Sequence, residues 1–425
     1  MKFMKRVLSQ TQLVFYGIGM IVGSGIYSVI GKAAGIAEGS LWLSFIIAAA
    51  TALLTALSYA ELSSMFTKAG AEYIYVKNIF PLKEILAFFC GAMMIFAGVS
   101  TSATVAHAFS GYLQQFFEAP TLIVAFVVLV VFTLINLWGI KEASWVNIIF
   151  TLIELLGLVI IIYFGFDSSS VEKSISTFQL SENVWKASAL VIFSYFGFET
   201  VVNFADETEQ PEKKLPRAIL LSLLVAAVLY FFVSIATMNL AKPEVLAASK
   251  HPISAIVQNQ SALAATVLGL IALFSTANTV LISMLSTSRI IFSMGREGDL
   301  PKLFATETKK HTPKIGAILV LILSSVLIPA GGVEVLASTS AFATMLVFAI
   351  INISLIYLRY KKPDEKRPFK VPLNIARFPL LPVAATVSSI ALLFFFESKV
   401  YFLAFAVIAL TLIFYFFIRD RLMNL

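Results

Sequence analysis

Apolar runs of about twenty residues or longer recur from end to end of this chain, separated by short polar breaks, and no other feature constrains its fold as strongly. A helix of about 20 residues crosses the roughly 30 Å hydrocarbon core of a bilayer, whereas a barrel strand alternates apolar and polar positions over about ten. The runs here do not alternate, so the spans are helical. Composition agrees, with 59% of the 425 residues hydrophobic, 13% charged and a mean hydropathy of +0.91. The chain reads as an all-α integral membrane protein with twelve transmembrane helices, at residues 11–35, 40–66, 84–115, 121–139, 143–166, 184–205, 216–240, 255–293, 315–331, 334–358, 376–396 and 399–418. The third and eighth are long enough to tilt strongly or to extend past the bilayer. The leader MKFMKRVLSQTQ is basic, but no small-residue cleavage site closes a core of about 7–15 residues behind it, so the first span is expected to be retained.

Lysine and arginine set the orientation. With the N-terminus inside, 25 of the 31 lie on the inner side, leaving Lys32, Lys173, Lys186, Lys242, Lys250 and Lys399 outside. Positive charge concentrates on cytoplasmic connectors, so both termini are expected in the cytoplasm, the number of spans is even, and the location is the cell (inner) membrane. The net charge of +7 has the same origin beside anionic lipid and calls for no nucleic-acid partner. The single cysteine, Cys90, makes neither an intrachain disulfide nor a metal cluster, and no cofactor is expected.

Two spans carry interruptions at matching places. The first is Gly23-Ser24-Gly25 in "GIGMIVGSGIYSVIGKAAG", residues 17–35; the second is Gly197 in "FSYFGFETVVNFADE", residues 193–207. Spans one and six each begin a group of five, and an odd number of spans per repeat inserts the second copy upside down. Paired glycine-interrupted helices at corresponding positions point to a secondary transporter with its substrate site near the bilayer midplane. Unwinding exposes backbone groups that an intact helix satisfies internally. The amides near Ser24, Gly25 and Ile26 would then head a half-helix whose positive end suits a carboxylate, while carbonyls at Met20 to Val22 suit an ammonium group. Against this stands plain packing, since small residues also let membrane helices approach closely.

Specific motifs carry a family resemblance. Gly23-Ser24-Gly25-Ile26-Tyr27 resembles the first-helix signature of the amino acid, polyamine and organocation transporter superfamily. "SYAELSSMFTKAGAEYIYV" at 58–76, with Tyr59, Glu61, Gly70 and Tyr73, is similar to its second-helix and first-loop signature, although Lys68 or a neighbour replaces the usual proline. "FSYFGFETVVNFADETEQPEKKLPRAI" at 193–219 and "SRIIFSMGREGDLPKLF" at 288–304 resemble the sixth- and eighth-helix signatures. The resemblance implies a LeuT-like fold of five plus five inverted helices with helices one and six unwound and two more appended. It forms one polytopic domain, with residues 1–166 as the first repeat, 184–358 as the second and 376–418 as the additional pair. It implies a bacterial or archaeal amino acid permease working by alternating access, not an enzyme. The family's substrate contacts fall on Ile21, Ser24 and Gly25, and on Phe193, Ser194, Phe196 and Gly197; Phe193 matches a ring that closes over substrate, and Glu199 a gate glutamate.

Glu154, deep in span five, stands where many proton-coupled relatives carry a lysine. Three roles fit it: a proton carrier, because desolvation favours the neutral form of a carboxyl; a Na⁺ ligand beside the hydroxyls of span eight; or a hydrogen-bonded packing residue. The third span, "CGAMMIFAGVSTSATVAHAF", has no acidic partner for a cationic side chain, which favours a neutral one; the expected activity is transport of neutral L-amino acids, proton-coupled or by exchange. Na⁺-coupled transport, cationic amino acid or polyamine transport, and an amino acid sensor on the same fold are the alternatives. The phosphate-binding run GxxxxGK followed by Ser or Thr is absent, which speaks against ATP hydrolysis.

Overall fold

The computed structural model describes residues 8–81, 84–138, 140–167, 180–308, 312–375 and 378–418. The leader before Leu8 and the basic residues Lys83, Lys173, Lys309, Lys310, Arg377, Arg419 and Arg421 lie outside the described residues.

Helix α1 (Gln10–Ala37) opens on a reciprocal cap, in which the Ser9 hydroxyl accepts from the Gln12 amide and the Gln12 side chain accepts from the Ser9 amide. A 3₁₀ turn at Glu38–Ser40 leads into α2 (Leu41–Met65), followed by a loop helix α3 (Ala71–Ile79) and then by α4 (Glu84–Leu113), α5 (Thr121–Trp138) and α6 (Ile140–Asp167). Helix α7 (Glu182–Val191) tightens into a 3₁₀ turn at Ile192–Tyr195, breaks, and resumes as 3₁₀ helix at Thr200–Glu207. Next come α8 (Pro211–Leu240), the loop helices α9 (Pro243–Ala248) and α10 (Pro252–Val257), then α11 (Ala262–Arg296), α12 (Lys314–Leu327) and α13 (Val333–Lys361). A two-stranded antiparallel hairpin, β1 (Asn374–Ile375) with β2 (Phe378–Pro379), precedes α14 (Leu380–Leu393) and α15 (Ser398–Ile413).

Among the described residues, nine helical stretches are long and apolar enough to cross a membrane, and the first of them, Gln10–Met65, contains both α1 and α2. Lys314–Ala330 and Leu380–Leu393 are shorter apolar helices. Burial orders these stretches from centre to rim. The most apolar window of Glu182–Glu207 is wholly buried inside the protein, whereas that of Ser398–Phe417 is 17% buried and turns its side chains outward. Around the central segment, α1 packs on α6, α8 and α11, while α2 lies along α8 and α4 along α11.

Four sequence expectations change. Helix α1 is continuous through Gly23, Ser24 and Gly25, so of the two matched interruptions the one in the sixth span breaks its helix and the one in the first does not. The eighth span begins at Ala262 rather than near residue 255, because the polar stretch 258–261 ends α10 and the Ser261 hydroxyl caps α11 by accepting from the Ala264 amide. The connectors after the second and seventh spans fold into the short helices α3, α9 and α10. Finally, the hairpin occupies the expected start of span eleven, and the helix begins only after Pro379, whose ring suits the edge of a helix and not its interior.

Candidate functional site

The break in the sixth-span helix is built around one residue. Gly197 has φ +130°, a conformation open to glycine and rarely to other residues, and a side chain there would meet Met20 Cγ at 2.7 Å and the Ile21 amide nitrogen at 2.8 Å. The loose ends are tied locally: the Gly197 amide donates to Glu199 Oε2 at 2.9 Å, and the Thr200 hydroxyl donates to the Gly197 carbonyl at 2.6 Å. Phe193 and Phe196 stand edge to face, 6.2 Å between centroids, over a cavity that Glu199, Ala97, Gly98 and Ser283 also line. Its volume is about 30 Å³, room for a few water molecules at most, so an amino acid fits only when its walls move apart.

Helix α1 forms the opposite wall without unwinding. Its glycines are notches into which neighbours press: a Cβ on Gly25 would lie 1.8 Å from Ser194 Cα, and one on Gly23 would lie 2.2 Å from Thr279 Oγ1. The packing reading therefore accounts for the first-helix glycines in this conformation, and the Ser24, Gly25 and Ile26 amides lie within an unbroken helix. The Ile21 carbonyl accepts from the Tyr230 hydroxyl at 2.6 Å, and Ile26 is buried. The Ser24 side chain lies outside the described residues. Ser194 is buried with its hydroxyl free of a hydrogen-bond partner. Ile21, Gly25, Phe193, Ser194, Phe196, Gly197 and Glu199 thus come together around the break; Glu154 does not line that cavity.

Glu154 belongs to a second buried polar cluster, between α6, α1 and α11. Asn278 Nδ2 donates to Glu154 Oε1 at 3.0 Å and to Asn147 Oδ1 at 3.1 Å. Glu154 Oε2, Asn147 Nδ2, Asn278 Oδ1 and Thr279 Oγ1 are buried without hydrogen-bond partners. The glycine notches admit the cluster to α1, since a Cβ on Gly19 would fall 2.2 Å from Thr151 Oγ1. Sequence reading passed over Asn147 and Asn278; the usable signal was an amide side chain inside an apolar run, which is costly in lipid unless it has work to do.

At the end of the bundle carrying α3, charged side chains bind the elements together. Glu61 accepts from both Arg359 and Arg367 and, through Oε2, from the Val371 amide at 2.8 Å. Arg289 pairs with Glu207 at 2.8 Å and lies over the Phe204 ring, and Lys77 pairs with Asp299 at 2.9 Å. The opposite end, near α9 and α10, holds an open cavity of about 470 Å³ lined by Tyr27, Lys32, His107, Lys250 and Glu334. His107 Nε2 is 2.7 Å from the Ile328 carbonyl, which makes it a packing anchor at the cavity wall.

A bundle of long apolar helices that encloses a small cavity at a broken central helix, with ion pairs clustered at one end and a separate open cavity at the other, has the construction of a membrane transporter. The chain belongs to the amino acid permease family, whose family model matches residues 8–418. It is 30% identical to the branched-chain amino acid permease BcaP of Bacillus subtilis over 87% of this chain and 84% of that one. It is 28% identical to cationic amino acid transporter 8, vacuolar, of Arabidopsis thaliana, over 92% and 69%. The methylthioribose transporter of Bacillus subtilis is 29% identical over 90% and 86%.

Proposed function

We propose that this permease is a secondary active transporter of neutral L-amino acids that works by alternating access, driven by protons or by exchange. The observation that carries this reading is the break at Phe196-Gly197, where a wholly buried segment offers two rings, the Glu199 carboxyl and the Thr200 and Asn203 side chains to one cavity. The substrate's ammonium and carboxylate would bind along this break and along α1 once α1 opens at Gly23 and Gly25. Phe193 and Phe196 would close over it. Glu199 lies in the cavity wall with Oε2 accepting the Gly197 amide, and the neutral preference rests on the absence of an acidic residue from residues 90–109 of the third span. Competition by arginine, alanine, leucine and methylthioribose against uptake of a labelled neutral amino acid tests the substrate class; the neutral amino acids are expected to compete and arginine to fail.

Twelve spans, arranged as an inverted pair of five-helix repeats plus α14 and α15, are part of the same proposal. Support comes from helix partners: α2 lies along its proposed counterpart α8, α4 lies along its counterpart α11, and each repeat carries loop helices after its second span. Basic residues concentrated at the α3 end support a cytoplasmic α3 end and cytoplasmic termini. The vestibule would then face outward.

Glu154 is the proposed coupling group. Its Oε2 is free, no lysine or arginine pairs with it among the described residues, and the cluster around it touches α1 through Gly19 and Gly23. Glu154→Gln keeps an acceptor for Asn278 and deletes the titrating proton. Proton-driven accumulation is expected to fall at least about tenfold while exchange of substrate across the membrane persists, the two modes being separated by one titratable group. Accumulation that keeps its full pH dependence in this variant would remove Glu154 from the coupling mechanism.

A further inference from the structure

Glu72 lies on the loop helix α3, outside the long apolar stretches, yet it is 1% exposed. Gly70, left-handed at φ +104°, turns the chain into α3, and its amide donates to the Asn203 side chain at 3.2 Å. The helix is thereby held down against α4 and α13. Tyr59 on α2 donates its hydroxyl to Glu72 Oε1 at 2.9 Å, and its ring packs edge-on against Phe198, beside the helix break, with centroids 5.5 Å apart. Glu72 Oε2 is buried without a hydrogen-bond partner. The titratable groups facing Glu72 are Tyr59, Tyr75 on α3 itself, Cys90 on α4, and Glu199 at the break. From α13 comes the ring of Phe348, against Tyr59. Among the described residues no lysine, arginine or histidine pairs with Glu72, and Lys77 on the same helix is committed to Asp299 and Tyr73.

We infer that Glu72 is a proton-binding site that controls the α3 end, holding a proton while α3 is packed down and releasing it to water as α3 lifts. The physical reason is the missing cation. A buried carboxylate with one hydroxyl donor and no countercharge is expensive, whereas the neutral acid is far cheaper to bury among aromatic rings. Burial pushes the Glu72 carboxyl up to about 8; Glu199 adds to the rise, while backbone and Tyr59 hydrogen bonds oppose it. Because its ordinary value is 4.5, the proton stabilises the closed form fully below that pH, and this stabilisation is lost as pH rises towards about 8. Opening then becomes up to about tenfold more favourable per pH unit within that window and levels off above it.

The native cysteine supplies the readout. Cys90 is fully buried on α4, the helix on which α3 packs, so its alkylation by N-ethylmaleimide in the full-length detergent-solubilised protein reports opening at that interface. No substrate is present in this measurement, which makes it independent of what the transporter carries. Dividing the wild-type rate by that of Glu72→Gln cancels the thiol's own pH dependence. The ratio is expected to rise at least about fivefold between pH ~6 and ~8 and to level off above. Tyr59→Phe removes a donor that favours the charged form, so its rise should level off at higher pH. Should Glu72→Gln fail to fold, the ratio of wild type to Tyr59→Phe decides, climbing above one near pH ~8 or staying at one. A flat ratio across this range, or Tyr59→Phe coinciding with wild type throughout, overturns the assignment.

Discussion

Replacing Glu61 with alanine is expected to destabilise the protein by about 3–5 kcal/mol, the typical cost of removing one partner from a buried ion pair. Glu61 is fully buried, and two guanidinium groups and one backbone amide converge on its carboxylate. Without it Arg359, only 6% exposed, keeps its charge with no counterion, and the connector that carries Arg367 and Val371 keeps only its Phe369–Ser64 hydrogen bond to hold it on α2 among the described residues. The expected result is an early loss of the monodisperse peak when detergent-solubilised protein is heated and then chromatographed. Glu61→Gln retains acceptor capacity but not the charge, so it should fall between alanine and wild type. A melting temperature unchanged in Glu61→Ala would mean that the cluster is a solvated surface and not a clamp across α2, α13 and their connector.

Gly25→Ala carries the second large effect. One methyl group would be placed 1.8 Å from Ser194 Cα and 2.4 Å from its Cβ, where ordinary contact begins near 3.4 Å. Backbone, not a flexible side-chain tip, is in the way, so α1 and the 3₁₀ turn at Ile192–Tyr195 must separate. Overpacking of this kind costs about 1–3 kcal/mol in stability. The larger consequence falls on transport, because both proposed walls of the substrate site shift together, and a displacement near 1 Å in a preorganised site costs on the order of 100-fold in rate. Transport by Gly25→Ala at the wild-type rate would show that substrate does not pass between α1 and the broken helix.

The two glycine signals in the sequence had the same appearance and different meanings. Gly197 was legible because the helix it interrupts continues with Glu199 and Thr200, whose side chains satisfy the backbone groups released at the break. What decides Gly23 and Gly25 lies elsewhere: their lost side chains are matched by Thr279 and Ser194, which lie far away in the chain. A glycine that permits close approach and a glycine that permits unwinding differ only in what stands opposite, and one sequence does not display that. Glu154 was legible as a costly carboxyl in an apolar run, but its partners Asn147 and Asn278 stand 131 residues apart and are joined only by the packing of α6 on α11. Glu72 was hidden for a different reason. Its stretch, 67–83, reads as a polar connector, and only the turn at Gly70 folds that connector inward as a helix with its carboxyl buried.

If the cavity at the broken helix carries neutral amino acids across a membrane, purified protein alone suffices to move them. The most direct test is counterflow of a panel of radiolabelled neutral L-amino acids into proteoliposomes containing the purified full-length chain. Outward or inward gradients of H⁺ and Na⁺ are imposed in parallel, with Gly25→Ala as the matched control. Saturable, stereospecific uptake of at least one neutral L-amino acid is expected, and Gly25→Ala is expected to reduce it by about two orders of magnitude. No uptake of any member of the panel under either gradient or by exchange, from protein that is folded and inserted, would contradict it.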